Sequence, residues 1–284
     1  MQRFKGVFAV LACLFLGTEN GSAFLLEREC GKSNRSENYG LIGGGQYAGI
    51  LSNPWMVLII VRGSPVCGGS LITSGFVLTA AHCISPFYTT VRLGDYLTVD
   101  SEDDCSRGVC IPRAYIKNVD MKLTHANFGT APYSRYDIGL LRMADVVMFS
   151  DYVRPICLLL NAKMEDVLQF NVTGWGRRED GDMSRVLQKA TLSRINSSYC
   201  ESHFNTKTDQ TQICTDSYSS ETCDGDSGGP LSAEVLYEGQ LRPFLYGVVS
   251  SGSQNCTTGG VDVHTNVEKF MDWIVSAVNR YSYN

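Results

Sequence analysis

Three residues have the types and local sequences needed for nucleophilic catalysis: Ser227, His82 and Asp137. Ser227 stands in a Gly-Asp-Ser-Gly-Gly run, where a tight turn can expose a hydroxyl beside backbone N–H groups; taken alone, such a run is as often a surface turn. His82 follows an apolar run, and Asp137 is the single carboxylate of a predicted apolar strand. A buried carboxylate is costly unless it is hydrogen-bonded, and orienting an imidazole would satisfy it. The chain order His, Asp, Ser is known among serine-hydrolase triads.

These motifs resemble those of the chymotrypsin/trypsin-like serine proteases, from about Leu41 to the C-terminus. The resemblance includes Leu-Ile-Gly-Gly at 41–44, Val-Thr-Gly-Trp-Gly at 172–176 and the stretch 267–274. It implies an all-β fold of two six-stranded antiparallel β-barrels, about 41–150 and 165–265, with the active site between them and a C-terminal α-helix. The finer resemblance is to arthropod clip-related extracellular proteases, on a cysteine pattern described below.

The positions of the short apolar runs agree with a barrel or sandwich. Many short runs separated by turn residues are typical of all-β folds. Thr265 and Glu268 have the spacing of a capping box, which predicts a helix with an apolar face. The face comprises Val267, Phe270, Met271, Ile274, Val275 and Val278. The predicted strands are 56–61, 69–72, 76–81, 91–93, 170–173, 186–192, 230–232 and 244–249.

The N-terminal residues have the features of a secretory signal peptide, assigned to 1–23. Arg3 and Lys5 precede an apolar run that is too short to span a bilayer, and small residues follow at the cleavage positions. We therefore expect a secreted, extracellular protein without a membrane partner. The formal net charge of −5 argues against nucleic acid as a partner.

Cysteine usage agrees with secretion. Of 11 cysteines, Cys13 leaves with the signal peptide, and an even number remains for an oxidising compartment to pair. The pairings that the resemblance implies use all of the remainder and leave none for a separate clip module. The implied bridges are Cys67–Cys83, Cys200–Cys214, Cys223–Cys256, the light-chain tether Cys30–Cys157 and the small clip-related loop Cys105–Cys110.

Residues 24–40 lack periodicity and carry too little apolar surface for a core, so they are interpreted as a propeptide or light chain, followed by a peptidase domain over 41–284. The resemblance implies that cleavage before Leu41 frees an amino group that pairs with Asp226. Gly40 stands where zymogens of this family usually have Arg or Lys. Activation by an ordinary trypsin-like enzyme is therefore not what the sequence predicts.

The predicted specificity pocket departs from the family pattern. Glu221, followed by Thr222, stands where trypsin-like members have Asp, and Asp262 replaces a pocket glycine. Two carboxylates in one pocket would repel each other, and a basic side chain would relieve that repulsion, which favours cleavage after Arg or Lys. The alternative is that Glu221 turns aside or fills the pocket. The segment Ser250, Ser251 and Gly252 is expected to pair with the substrate backbone.

Acidic residues lead into the small cysteine loop, and two sequons are expected to carry glycans. Ca²⁺ binding in the 95–113 loop is one interpretation, but a solvated acidic loop is favoured, so no cofactor or metal is expected. Glycosylation is expected at Asn34 and Asn196, whereas Asn171 falls in a predicted core strand. His125 and His203 are interpreted as surface residues and His264 as structural.

The resemblance implies a secreted serine endopeptidase that works through an acyl-enzyme. His82 would act as base, Asp137 would orient it, and the N–H groups of Gly225 and Ser227 would bind the oxyanion. The expected role is a zymogen in an extracellular cascade of defence or development, with protein substrates, an upstream activating protease and serpin-type inhibitors as partners of a monomer. The alternatives are a digestive protease and a non-catalytic homologue with a regulatory or binding role.

Overall fold

The computed structural model describes residues 24–32, 46–99, 103–130, 135–177, 182–216, 225–252 and 260–282. The predicted signal peptide lies outside these ranges, as do Asn34, Gly40, Leu41, Glu221, Thr222, Cys223 and Cys256. The strands in the described ranges are β1 Phe24–Leu25, β2 Gln46–Tyr47, β3 Met56–Val61, β4 Ser64–Leu71, β5 Phe76–Thr79, β6 Thr89–Leu93, β7 Asp104–Ser106, β8 Val109–Ile111, β9 Tyr115–Thr124, β10 Gly139–Met143, β11 Leu159–Leu160, β12 Gln169–Gly174, β13 Gln188–Arg194, β14 Gln212–Asp216, β15 Pro230–Tyr237, β16 Gln240–Ser251 and β17 Val261–Asn266. The helices are α1 Ser197–Phe204 and α2 Met271–Tyr281, with 3-10 turns at Ala81–Cys83 and Val267–Phe270.

The first half of the chain closes into a six-stranded antiparallel barrel in the order β10-β5-β4-β3-β6-β9. Strand β3 is apolar along its length, strand β5 is apolar except for Thr79, and all four residues of β5 are buried. Val57, Ile59, Val77 and Leu78 are all 0% exposed. Val77 and Leu78 are consecutive and point to opposite faces of β5, so both faces of this strand are covered, which is why it shows no polar alternation.

The second half forms a second barrel in the order β12-β15-β16-β17-β14-β13, closed by pairing of β12 with β13 and extended by β2 on β13. Its core includes Phe170, Leu192, Leu231, Phe244 and Tyr246. The predicted all-β fold with two six-stranded antiparallel barrels and a C-terminal helix is therefore confirmed.

Strand lengths follow hairpin geometry that local apolar runs do not reveal. Strand β3 begins and ends where the sequence predicts, but β15 continues to Tyr237. Beyond the predicted run, the β15–β16 hairpin extends to a turn at Glu238 and Gly239, which have φ of 49° and 76°. This two-residue turn with positive φ matches the twist of a hairpin and allows the polar ends to pair.

The predicted capping box at Thr265 is wrong. Strand β17 runs through Asn266, a 3-10 turn follows, and α2 begins at Met271 without a side-chain cap. The Thr265 hydroxyl instead donates a 2.8 Å hydrogen bond to the carbonyl oxygen of Asp137. A long-range partner has thus replaced the local cap that the sequence suggested.

Residues 24–32 pack against the second half of the chain. Strand β1 pairs antiparallel with β11, and Cys30 is bonded to Cys157. Arg242 donates through Nη1 to the carbonyl oxygens of Arg28 and Cys30 at 3.1 and 3.3 Å. The short apolar start of this segment, which shows no periodicity, thus forms an added strand that remains attached by both backbone pairing and a covalent bridge.

Three further disulfides lie within the described ranges, alongside the N-terminal tether. The bridge Cys105–Cys110 links β7 to β8 across a turn at Arg107 and Gly108. No helix in the described parts of the chain is long and apolar enough to cross a membrane. The other two bridges are Cys67–Cys83 and Cys200–Cys214.

Candidate active site

His82 stands on the 3-10 turn that ends strand β5. The N–H of Cys83 donates to the Ala80 carbonyl at 3.2 Å, and the N–H of Ile84 donates to the Ala81 carbonyl at 3.0 Å. The bridge from Cys83 to Cys67 fixes the same turn to β4. These restraints hold the imidazole at the barrel surface, where its side chain is 37% exposed.

Asp137 lies two residues before strand β10 instead of inside a strand as the sequence predicted. Its carboxylate is fully buried and accepts three hydrogen bonds. Oδ2 lies 2.7 Å from Nδ1 of His82 and 2.6 Å from the Ser250 hydroxyl, and Oδ1 accepts the His82 N–H at 2.9 Å. A carboxylate only accepts, so Nδ1 carries a proton and Nε2 of the same ring is left as the acceptor.

The backbone around Asp137 is held in an uncommon conformation. Tyr136 has φ of 60°, and the N–H of Ile138 donates to the Tyr136 carbonyl at 2.8 Å. The Tyr136 ring stacks on His125 with centroids 5.2 Å apart and meets Phe270 edge-on at 6.0 Å. The prediction of His125 as an ordinary surface residue is therefore wrong: it is half-buried in this aromatic cluster, and burial lowers its pKa.

Ser227 occupies a turn wedged against the first barrel. The Gly68 N–H donates to the Ser227 carbonyl at 2.8 Å, and the Gly228 N–H donates to the Val249 carbonyl at 2.8 Å. Gly228 has φ of 80°, and a Cβ there would lie 2.2 Å from Thr79 Oγ1 and 2.4 Å from the Gly68 oxygen. Glycine is therefore required for the close approach that brings the serine turn to the strands holding His82.

The backbone N–H groups of Gly225 and Ser227 are the donors predicted to bind an oxyanion. Within the described residues, neither of them donates a hydrogen bond to another protein atom. Gly225 has φ of 99°, which a residue with a Cβ rarely adopts. In the same described part of the chain, Ser227 Oγ makes no hydrogen bond to His82, whose Nε2 lies 3.6 Å from Cys83 Sγ. Nucleophile and base are placed on facing elements, and such contacts tighten when substrate binds.

The Asp226 carboxylate lies in a niche built from two glycines. Its Oδ1 accepts the Gly176 N–H at 2.9 Å. A Cβ on Gly174 would lie 2.1 Å from the same oxygen, and a Cβ on Gly176 would lie 2.4 Å from Oδ2. The Gly-Trp-Gly motif thus supplies the space and one donor for this carboxylate. Its predicted partner Leu41 lies outside the described residues.

The predicted substrate-binding segment lies at the end of strand β16. Ser250 is buried against Asp137, while Ser251 and Gly252 are half-buried. Asp262 lies on β17 opposite Thr215 and is 2% exposed. Opposite residues in a sheet share a face, so Asp262 and Thr215 lie on one face of the second barrel.

His264 shares the face of Asp262, two residues along β17. Its Nε2 lies 2.8 Å from Thr215 Oγ1, and its Nδ1 finds no partner among the described residues. Burial lowers its pKa from 6.5 to about 3, so the ring is neutral at physiological pH. The ring is a structural part of the sheet, as the sequence predicts.

Replacing His264 with Gln should make the free energy of unfolding depend less on pH in the acidic range. The folded pKa lies below the unfolded one, so stability is lost as pH falls from 6.5 towards 3. Urea unfolding between pH 6 and pH 4 should show a slope about 1.4 kcal/mol per pH unit smaller than that of wild type. Thr215→Val keeps the imidazole buried and should retain the wild-type slope. Parallel curves for wild type and His264→Gln would contradict this.

Removing the Ser250 hydroxyl should weaken catalysis without unfolding the protein. Ser250→Ala takes one of three hydrogen bonds from the buried Asp137 carboxylate, and a bond to a charged group contributes about 1.5–3 kcal/mol. We expect kcat/KM to fall by about tenfold. Ser232→Ala is the control, since that buried hydroxyl donates to the Asn171 carbonyl within the second barrel. An equal effect of both substitutions would refute a specific role for Ser250.

The described residues offer few groups for a metal. Cys67, His82 and Cys83 have ligand atoms within 4.8 Å of one another, but both cysteines are consumed by their disulfide. In the acidic loop, Asp104 Oδ2 accepts the N–H groups of Tyr96 and Leu97, both at 2.8 Å. Asp100 and Glu102 lie outside the described residues.

Comparison with known proteins gives a family for this geometry. A sequence model of the trypsin family, described as Trypsin, matches residues 42–274. The chain is 31% identical to Serine protease grass of Drosophila melanogaster, over 80% of this chain and 65% of that protein. It is 33% identical to Phenoloxidase-activating factor 1 of Holotrichia diomphalia, over 78% of this chain and 65% of that protein. The chain therefore spans about two thirds of the length of these relatives.

A third relative, Spaetzle-processing enzyme of Drosophila melanogaster, is 32% identical over 81% of this chain and 64% of that protein. Among solved structures, the crystal structure of the Drosophila Grass clip serine protease of the Toll pathway matches with a TM-score of 0.75. That match has 28% sequence identity and covers 88% of this chain and 74% of the other. The resemblance to arthropod clip-related proteases is thus confirmed, and the chain belongs to the trypsin family.

Proposed function

We propose that the protein is a serine endopeptidase that hydrolyses peptide bonds through an acyl-enzyme. The observation that carries the proposal is the buried Asp137 carboxylate, which accepts hydrogen bonds from His82 and Ser250. His82 lies on the barrel that faces the Ser227 turn. A buried carboxylate that fixes an imidazole on a barrel packed against a serine turn has the arrangement of a triad.

In this mechanism the Ser227 hydroxyl attacks the substrate carbonyl. Nε2 of His82 takes the hydroxyl proton and later delivers it to the leaving amine, while Asp137 stabilises the imidazolium through Nδ1–H. The N–H groups of Gly225 and Ser227 receive the negative charge that develops on the carbonyl oxygen. Water then attacks the acyl-enzyme with the same base, which regenerates Ser227.

We propose a preference for Arg or Lys at the cleaved bond. Asp262 is buried on β17, next to the segment that ends β16, and a carboxylate in this position attracts a cationic side chain. Glu221 and Thr222, which lie outside the described residues, would complete the pocket. If Leu peptides are cleaved faster than Arg and Lys peptides, this preference is refuted.

We propose that the protein is a secreted, monomeric zymogen that acts on protein substrates in an extracellular cascade. We also propose that serpin-type inhibitors control its activity. Phenoloxidase-activating factor 1 and Spaetzle-processing enzyme carry names that describe action on another protein. The N-terminal tether through Cys30–Cys157 supports this role, because it keeps the cleaved light chain attached. Gly40 before Leu41 requires an activating protease that does not demand a basic residue at the cut.

We propose glycans on Asn34 and Asn196. Asn196 is exposed at the start of α1, where its side-chain oxygen accepts the Ser198 N–H at 3.0 Å and leaves its nitrogen for the sugar. The burial argument against Asn171 is wrong, because this residue points outward from β12 and is exposed. Alternation of facing along a strand explains how a strand residue escapes the core.

We propose that no resident metal or cofactor is required. The Asp104 carboxylate already caps two backbone N–H groups, and Asp95 pairs with the buried Arg92 at 3.0 Å. Dialysis of the activated enzyme against EDTA should therefore leave its rate and its melting temperature unchanged. Loss of activity that Ca²⁺ restores would contradict the proposal.

The direct test is secretion of the full chain, both as it stands and with Gly40→Arg. After trypsin treatment and N-terminal sequencing, both proteins are assayed with Arg and Leu chromogenic peptides and with a serine-directed phosphonate. Activity only in Gly40→Arg would support both the catalytic site and an unusual natural activator. Failure to turn over any substrate despite a confirmed Leu41 terminus would overturn the proposal in favour of a non-catalytic role.

A further inference from the structure

We propose that Met183 is a peroxide-sensitive modification site whose oxidation slows the enzyme by disturbing Gly225, one of the two predicted oxyanion donors. The proposal rests on the proposed function, because it assigns catalytic work to the Gly225 N–H. The proposal is based on a contact that no sequence motif indicates, namely that the thioether of Met183 packs against Gly225.

Gly225 is enclosed between Met183 and Gly176. A Cβ on Gly225 would lie 2.4 Å from Cε and 3.2 Å from Sδ of Met183, and 3.2 Å from Cα of Gly176. The Met183 side chain thus fills the space where a side chain of residue 225 would stand. Glycine is conformationally permissive, so packing on this face helps to hold Gly225 at its φ of 99°.

Met183 is itself anchored to the residues that hold the catalytic turn. It pairs with Arg177 in an isolated antiparallel bridge, and the next N–H, that of Ser184, donates to the Gly176 carbonyl at 3.0 Å. The Gly176 N–H in turn donates to Asp226, the residue before the nucleophile. The Met183 thioether is therefore held in a fixed position relative to the Ser227 turn. A chemical change of the thioether should consequently alter the conformation of that turn.

The sulfur is also accessible to a small oxidant. Met183 is 41% exposed, whereas Met56, Met143 and Met164 are buried at 2%, 0% and 8%. A peroxide transfers one oxygen to the thioether: the O–O bond breaks, an S–O bond forms, sulfur loses two electrons, and hydrogen peroxide leaves as water. The product is a polar sulfoxide in place of an apolar contact.

A sulfoxide oxygen carries partial negative charge and requires hydration. Beside Gly225 it would oppose the negative charge that develops on the substrate oxygen, or it would draw the side chain away and release the glycine. Loss of a whole oxyanion donor typically lowers kcat by about 100–1,000-fold, so partial displacement of one should lower kcat by about tenfold. Substrate binding elsewhere is unaffected, so KM should change less than kcat.

The test uses hydrogen peroxide on the activated enzyme, with Met148 as an internal control because it is 89% exposed. Peptide mass spectrometry follows the sulfoxides of Met183 and Met148, and each protein is compared with its own untreated sample. Wild type and Met148→Leu should lose about tenfold in kcat, and methionine sulfoxide reductases should restore it. Met183→Leu should keep its own rate after treatment. Full activity with Met183 oxidised, or protection by Met148→Leu, overturns the proposal.

A second measurement separates this inference from the proposed function. Hydrogen exchange of the peptide containing Gly225 is followed in the secreted protein before and after peroxide, which requires no catalysis. Oxidation should increase deuterium uptake there in wild type and not in Met183→Leu. If the untreated enzyme hydrolyses nothing but this difference is present, the proposed function fails and the structural contact stands. If exchange is unchanged by oxidation, the inference fails.

Discussion

Asp137→Asn should lower kcat by about ten-thousandfold while the protein remains folded. Three donors face the Asp137 side chain: Nδ1–H and the backbone N–H of His82, and the Ser250 hydroxyl. An amide has one accepting atom and one donating atom, so it cannot accept from all three. The imidazole would then take the other tautomer, with the proton on Nε2, and His82 could no longer remove the Ser227 proton.

Initial rates with a peptide substrate and the rate of phosphonate labelling measure this effect. Asp120→Asn is the matched control, because Asp120 is a surface carboxylate bonded to Nε and Nη2 of Arg142, both at 2.9 Å. We expect its kcat within about twofold of wild type, since surface ion pairs contribute little. If Asp137→Asn retained a tenth or more of the wild-type kcat, Asp137 would not set the tautomer of His82.

The fold was largely predictable from the sequence, because its information is local. The run over β3 is apolar and β-branched, and a strand there requires no knowledge of distant residues. The limits of β15 and the start of α2 depended instead on a hairpin partner and on the hydroxyl of Thr265 reaching Asp137. The contact of Thr265 with Asp137 joins residues 128 positions apart, and the hairpin pairs polar residues beyond the apolar run. No apolar periodicity within a short window records either contact.

The candidate site likewise consists of residues that local motifs predict and of contacts that they do not. His82, Asp137 and Ser227 stand in local motifs, so they could be named from the sequence. The supporting contacts could not, because other parts of the chain supply them. Ser250 of strand β16 contacts Asp137, and Met183, which pairs with Arg177, contacts Gly225. His125 was misjudged for the same reason, since its polar neighbours in sequence conceal the aromatic rings that cover it in space.

Gly228→Ala should both destabilise the protein and disable the nucleophile. At φ of 80°, a Cβ on residue 228 would lie 2.2 Å from Thr79 Oγ1 and 2.4 Å from the Gly68 carbonyl oxygen, and the latter is backbone that cannot rotate away. The turn must therefore move off β4, which breaks the hydrogen bond from Gly68 to the Ser227 carbonyl. We expect a loss of about 3 kcal/mol in the free energy of unfolding and at least a hundredfold loss of kcat, because displacement of a catalytic group by about 1 Å has that effect.

Gly239→Ala separates the backbone strain from the collision. Gly239 also has positive φ, at 76°, but a Cβ there would meet nothing within 4 Å. This variant should lose only about 1 kcal/mol, the typical cost of a left-handed alanine, with kcat unchanged. Urea unfolding and peptide hydrolysis measure both quantities for the two variants. Equal losses of stability would mean that strain alone accounts for the glycine at 228, and that the serine turn is not wedged against the first barrel.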